Sequence, residues 1–180
     1  MTFPLKLSFT TEKAYDITYV RLKFSSPRPE SFAIYKKFRE NPWEEDPDPE
    51  GGWIPWQFYS ASCRDMFGVP ESTSIIQPTE EDDRYSTRKL GEDRALCTSE
   101  FSDISPLTGG NVAFATLDGR PGAFNFDNNR ELQHWVSATD IRSLVLTYIL
   151  TPGSNCLWFP EFLSSVSTLS ETRSSWTRKC

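Results

Sequence analysis

His134 is the only imidazole in this 180-residue chain, so any nucleophile–base pair that relies on histidine would have to be built around it. It lies between Gln133 and Trp135, and no G-x-S-x-G string, P-loop, G-x-G-x-x-G or HExxH motif accompanies it. A structural or surface role suits it better than catalysis. Carboxylates cluster twice, in Glu44-Glu45-Asp46-Pro47-Asp48-Pro49-Glu50 and in Glu80-Glu81-Asp82-Asp83. Neither run has the apolar surroundings that raise a carboxyl pKa for acid catalysis. The first could attract calcium, but its alternating prolines remove the flexible wrap-around loop such a site needs, and a solvated loop is the simpler reading. The aromatic run Trp53–Tyr59 offers either a sugar-stacking platform or a core strand, with Pro55 marking an edge position. The core strand is the reading preferred here.

Cys63, Cys97, Cys156 and Cys180 are spaced too widely for a zinc knuckle or a CxxC redox pair. They are either buried thiols or disulfide partners in an oxidising compartment, with Cys63–Cys97 the foremost candidate bond. Closing a loop of that length would stabilise a fold by roughly 4 kcal/mol on the chain-entropy argument.

The elements that must position these groups are mostly strands. Leu5-Lys6-Leu7-Ser8-Phe9 alternates apolar and polar residues. Asp16 to Phe24 predicts a strand with Thr18, Val20, Leu22 and Phe24 on one face and Ile17, Tyr19, Arg21 and Lys23 on the other. Ser31–Lys36, Trp53–Ser60, Asn111–Leu117 and Asp140–Leu150 read as further strands. The Pro- and Gly-rich stretch from Glu40 to Gly52 cannot pair in a sheet, and residues 64–95 are a long polar excursion. Thr108-Gly109-Gly110 and Asp118-Gly119-Arg120-Pro121-Gly122 are turn signals. One short helix is predicted over Asn128–Ser137, capped by Asn128 or Asn129, with Leu132, Trp135 and Val136 on one face. The fold class that follows is all-β: a jelly-roll-type β-sandwich with one short helix and long loops.

Bulk properties agree with a single domain. Hydrophobic residues make up only 37% of the chain, but aromatics reach 14%, and their large buried area makes a packed core attainable. A formal charge of −6 argues against a nucleic-acid module, which needs a basic stripe. No window of about twenty apolar residues is present to span a membrane. No N-x-[ST] sequon occurs, and Met1–Leu7 has none of the features of a signal peptide.

Several longer strings carry more information than any spacing. They are Lys13-Ala14-Tyr15-Asp16-Ile17-Thr18-Tyr19-Val20, Arg28-Pro29-Glu30-Ser31-Phe32-Ala33-Ile34-Tyr35-Lys36 and Gln57-Phe58-Tyr59-Ser60-Ala61-Ser62-Cys63, followed by the long run from Leu96 to Phe114. Thr116–Pro121, Asn125–Asn128 and Trp135–Arg142 complete the set. Together, and in this order, they resemble the N-terminal (LN) domain of laminins and netrins, and Phe101-Ser102-Asp103-Ile104-Ser105-Pro106-Leu107-Thr108-Gly109-Gly110 is most like a laminin gamma chain.

The resemblance implies a secreted matrix module that joins alpha and beta LN domains of other laminin chains in basement membranes and supports cell adhesion. It also implies cell-surface receptors as further partners. It implies a Cys63–Cys97 disulfide, and it places Pro106, Leu107, Thr108, Gly109, Gly110 and Asn111 where a protein-contact loop is expected; a tight turn is the equal alternative. No enzyme activity and no cofactor are implied within this chain, because the family's calcium site belongs to a segment upstream of Met1. The likeness covers residues 1–142, a partial LN domain, and the Ser/Thr-rich stretch 143–180 reads as a divergent tail: a strand continuation, then disorder. A netrin-like guidance ligand and a carbohydrate-binding jelly roll are the competing functions.

Overall fold

The computed structural model describes residues 5–27, 29–75, 91–102, 108–145 and 161–166. Strand β1 (Leu5–Pro27) is followed by β2 (Phe32–Lys37), β3 (Ile54–Tyr59), helix α1 (Cys63–Phe67), β4 (Leu96–Thr98) and β5 (Thr108–Ala115). A 3-10 helix (Pro121–Asn128), helix α2 (Arg130–Val136), β6 (Ser137–Val145) and β7 (Glu161–Val166) complete the described chain. The strands hydrogen-bond in the order β4-β3-β2-β6-β1-β5, and β7 also pairs with β1. The fold is all-β and of jelly-roll type.

β1 is the strand about which the architecture turns. Leu5–Thr10 and Tyr15–Asp16 pair antiparallel with β6, whereas Tyr19–Pro27 pair with β5 and Ile17–Lys23 with β7. Between Thr10 and Tyr15 the ladder with β6 is interrupted by a bulge, which raises the local twist and lets one strand serve two layers. The two strands read from sequence at Leu5–Phe9 and Asp16–Phe24 are therefore one. The face assignment also changes where the layers meet. Val20, Leu22 and Phe24 point inward as alternation requires, but Ile17 is buried and Thr18 is exposed. The register against β7 shifts between Ile17 and Tyr19, so the pleat changes face at that point.

That the sheet curls is shown by its core. Trp56 of β3 meets Phe114 of β5 edge-to-face, with ring centroids 5.6 Å apart, although three strands separate β3 from β5 in the hydrogen-bonded order. Val20, Leu22, Phe32, Ile34, Val112 and Ile141 fill the space between the layers. Phe32 stacks on Tyr59 at 4.5 Å and meets Phe24 at 5.6 Å. Aromatic area thus supplies the core that the modest apolar fraction left in question.

Helix content exceeds the single helix expected. α1 is one short turn closed by Gly68 in the left-handed region at φ 70°. α2 follows the reading closely: Asn129 Oδ1 accepts from the Leu132 amide at 3.1 Å, and Leu132, Trp135 and Val136 are buried together. Thr108–Gly110, read as a turn, instead opens β5, with Thr108 opposite Pro27 and Gly110 opposite Phe24. A paired neighbour strand satisfies the glycine backbone and overrides its turn preference. β6 is described as far as Val145, so the rest of the strand read to Leu150 lies outside the described residues.

Candidate protein-contact site

The expected contact segment divides in two. Pro106 and Leu107 lie outside the described residues, while Thr108, Gly109, Gly110 and Asn111 form the start of β5, the terminal strand of the hydrogen-bonded order. Asn111 is exposed opposite Lys23 of β1. Along the strand Val112 and Phe114 face the core while Asn111 and Ala113 face outward, so β5 presents small and polar side chains on its outer surface.

What holds this strand in place is a buried set of hydrogen bonds at its end. Thr116 donates from its hydroxyl to the Ile17 carbonyl at 2.8 Å, and its own carbonyl accepts from Trp135 Nε1 at 2.8 Å and Arg120 Nε at 3.0 Å. The Arg120 guanidinium lies 4.0 Å from the Trp135 ring centroid and donates to the carbonyls of Glu92 and Arg94. Burial pushes the Arg120 pKa down to about 10, an effect that the nearby acidic Glu92 and Asp93 oppose.

Trp135 also neighbours Lys36, which is 1% exposed. Its ammonium donates to the carbonyls of His134, Trp135 (2.8 Å) and Ser137 (3.0 Å), and lies within 6 Å of the Trp56 and Trp135 rings. A cation at the C-terminal end of α2 complements carbonyls that the helix cannot satisfy itself. Burial lowers the Lys36 pKa to about 8. No motif in the sequence marks this cluster. A lysine in the apolar strand Phe32–Lys37 was its only signal.

Cys63 and Cys97 are bonded, with Cα atoms 5.9 Å apart, and join the start of α1 to β4. Both are buried. Residues 71–75 are stitched between β4 and the turn after β5. Ser72 donates its amide to the Cys97 carbonyl at 2.8 Å, and Ile75 donates to the Gly119 carbonyl at 2.7 Å. Gly119 has φ 70°, and a Cβ there would collide with the backbone of Thr73 and Ser74. Cys156, Cys180 and the Glu80–Asp83 run lie outside the described residues.

Of the two readings of the aromatic run, the preferred core strand is the one found: Trp56 is fully buried, with Nε1 donating to the Trp135 carbonyl at 3.0 Å. Trp53 is covered by the Arg142 guanidinium, 4.0 Å from its ring centroid, and its Nε1 donates to the Pro49 carbonyl. The acidic loop is exposed along most of its length, as read, and is in addition tied to the sheet. Lys37 binds Asp46 at 2.7 Å and the Asp48 carbonyl at 2.6 Å. Arg142 reaches Glu50 at 3.3 Å and the Pro49 carbonyl at 3.0 Å, and Lys6 meets Glu50 at 2.6 Å. These bases come from three strands distant in sequence, which composition cannot foresee.

A pH dependence follows. The hydrogen bond from Lys37 holds the Asp46 carboxyl below its ordinary range, and that from Lys6 does the same for Glu50. Depressed carboxyl pKa values mean that the tethers are complete above the ordinary carboxylate range near pH 4 and are lost as pH falls through the lower folded values. Acidification below about pH 4 is expected to release the loop and free the Trp53 indole. An indole N–H resonance of Trp53 that stays unchanged down to the global acid transition would contradict this.

His134 is exposed on α2, its ring 6.1 Å from that of Phe38. It borders an open depression of about 560 Å³ lined also by Asp16, Phe126, Arg130, Gln133 and Ser137. Neither hydroxyl nor thiol is aligned with it as a nucleophile among its described neighbours: Ser137 Oγ is committed to Asp16 at 2.5 Å.

Comparison with known proteins agrees with this architecture. The family model described as Laminin N-terminal (Domain VI) matches residues 3–161, and so continues beyond Arg142. Laminin subunit gamma-1 of Homo sapiens is 49% identical over 165 residues, 91% of this chain and 9% of that protein. Laminin subunit gamma-3 of Homo sapiens is 47% identical over 165 residues, again 91% and 9%. Laminin-like protein lam-2 of Caenorhabditis elegans is 45% identical over 159 residues, 88% and 8%. The chain thus spans less than a tenth of the length of these relatives. The ordered strings, the curled sheet and a family match over most of the chain lead to one conclusion: this chain belongs to the laminin N-terminal (domain VI) family.

Proposed function

We propose that the chain is an LN module of laminin gamma type that works outside the cell, in basement-membrane matrix, by binding alpha and beta LN domains of other laminin chains. The observation that carries this reading is the near-half identity to gamma subunits over nine tenths of the chain. The fold supports it in kind. β5 offers a terminal strand with outward Asn111 and Ala113, anchored by Thr116, Trp135 and Arg120, and a rigid platform of this sort lowers the entropic cost of association. The contact segment in this reading is Pro106 to Asn111, and the module works by binding, without catalysis.

Sedimentation of the full chain with alpha and beta LN fragments, with and without calcium, tests the proposal. A ternary complex that weakens on Asn111→Arg is the expected result, because a long cation on the outer face of β5 would obstruct a close partner. Absence of any complex in either condition would remove the assembly role.

A further inference from the structure

Among the described residues the curled sheet does not close on itself. β4 and β5 end its hydrogen-bonded order and share a cavity of about 120 Å³, lined by Leu96 and Thr98 of one and by Ala113 and Ala115 of the other. Sites for cofactors and comparable small molecules run from roughly 300 Å³ upward, so this space suits a single side chain.

Its polar lining says which. Gln57 is 7% exposed and Tyr59 2%, and both line the cavity. Neither the Gln57 carboxamide nor the Tyr59 hydroxyl has a hydrogen-bond partner among the described residues. Their polar atoms are not sealed by protein, as the unpartnered Arg94 Nε and Ser102 Oγ are, and so open onto the cavity. Buried groups of this kind are rarely left unpaired. Glu100 and Asp118 are exposed, line the same cavity and enter no ion pair among the described residues. The Glu100 charge reaches the Tyr59 hydroxyl, whose pKa is raised by burial first and by that carboxylate second. An amide oxygen, a phenol oxygen and carboxylates all accept protons, and together they select a cation.

The wall made by β5 decides how the cation arrives. The Thr116 amide donates to the Thr18 carbonyl at 3.0 Å. Antiparallel alternation then turns the backbone groups of Phe114 and Val112 toward β1 and those of Ala113 and Asn111 away from it. No described strand pairs with that outer edge. Open backbone groups bond the main chain of an extended polypeptide, and a pocket beside them selects its side chains.

We propose that β5 and this cavity bind an extended, lysine-bearing segment of a partner polypeptide. The main chain of that segment adds to the free edge of β5, and its lysine enters between Gln57, Tyr59 and Glu100. Lysine fits better than arginine, because a compact ammonium on an unbranched stem suits a narrow space better than a planar fork. The inference goes beyond the laminin assembly reading and does not depend on it. Peptide binding that persists while sedimentation with LN fragments fails removes the assembly reading alone, and the reverse removes this one alone.

Amide shifts of the full chain, followed during titration with acetyl-Thr-Val-Thr-Lys-Thr-Val-Thr-amide, test the site. Saturable shifts at Ala113 and at the Gln57 side-chain amide are expected, with binding roughly tenfold weaker when norleucine replaces the peptide lysine. Glu100→Gln and Gln57→Leu should each weaken binding of the lysine peptide. Ala113→Pro should abolish it, because proline removes an amide that the free edge offers while sparing the bonds to β1. Glu100 and Ala113 are exposed, so their variants decide the matter even if circular dichroism shows that Gln57→Leu fails to fold. No binding, equal binding of the two peptides, or binding indifferent to Ala113→Pro would overturn the proposal. So would butylamine binding as tightly as the peptide, which would leave a cation pocket without strand addition.

Discussion

Replacing Trp135 with alanine is expected to cost about 4–5 kcal/mol, near the upper range for a buried aromatic, and to leave the domain marginally folded. The ring is 1% exposed and lies close to two cations, Arg120 at 4.0 Å and Lys36 at 5.6 Å from its centroid. Its Nε1 proton goes to the Thr116 carbonyl, the bond that fixes the end of β5. Truncation would open a cavity beside two buried charges; Arg120 would lose the ring it stacks on, and Lys36 would keep only Trp56. Trp135→Phe should recover most of the packing but not the hydrogen bond, and so fall between alanine and wild type. Urea denaturation of the three proteins measures this order; an alanine variant within about 1 kcal/mol of wild type would refute the account of the cluster.

Removing the Cys63–Cys97 bond should have the next largest effect. The bond closes a loop of 34 residues in sequence separation, and the chain-entropy argument assigns such a loop roughly 4 kcal/mol. Both sulfurs are buried, so reductant reaches them only through opening. Cys63→Ala/Cys97→Ala is therefore expected to lower the urea midpoint strongly, while mild reductant applied to the folded wild type acts slowly. Rapid reduction with no change in midpoint would contradict both statements. The bond joins α1 to β4, a strand of three residues whose described pairings are with β3 and, through one bridge, Ser72. A strand this short gains little from its own ladder, so the covalent link supplies what hydrogen bonding cannot.

Much of this fold could be read from local pattern, and the failures have physical causes. Alternation in Val20, Leu22 and Phe24 and the i, i+3, i+4 set of Leu132, Trp135 and Val136 declare their buried faces directly, because each depends only on the period of its own element. Continuity of β1 through Glu12-Lys13-Ala14 was not visible, because a bulge interrupts the pattern without ending the strand. Helix α1 is too short to show a period at all. The polar bracing was least legible. Lys37, Arg39 and Arg142 look like ordinary charged residues until the sheet brings them to Asp46, Asp140 and Glu50, up to about a hundred residues away. Pairing of charges is a property of the assembled fold and leaves no trace in spacing.

The role of β1 has a consequence for how the protein is made. Its described partners are β5, β6 and β7, so Tyr19 must wait for Ala115 and Leu5 for Val145 before either is paired. At ordinary rates of translation roughly 5–20 s pass between synthesis of Tyr19 and Ala115. Through that interval the nascent strand leaves Val20, Leu22 and Phe24 without a layer to cover them. Folding is therefore deferred until β5 and β6 have left the ribosome, and until then β1 is the natural client for a chaperone.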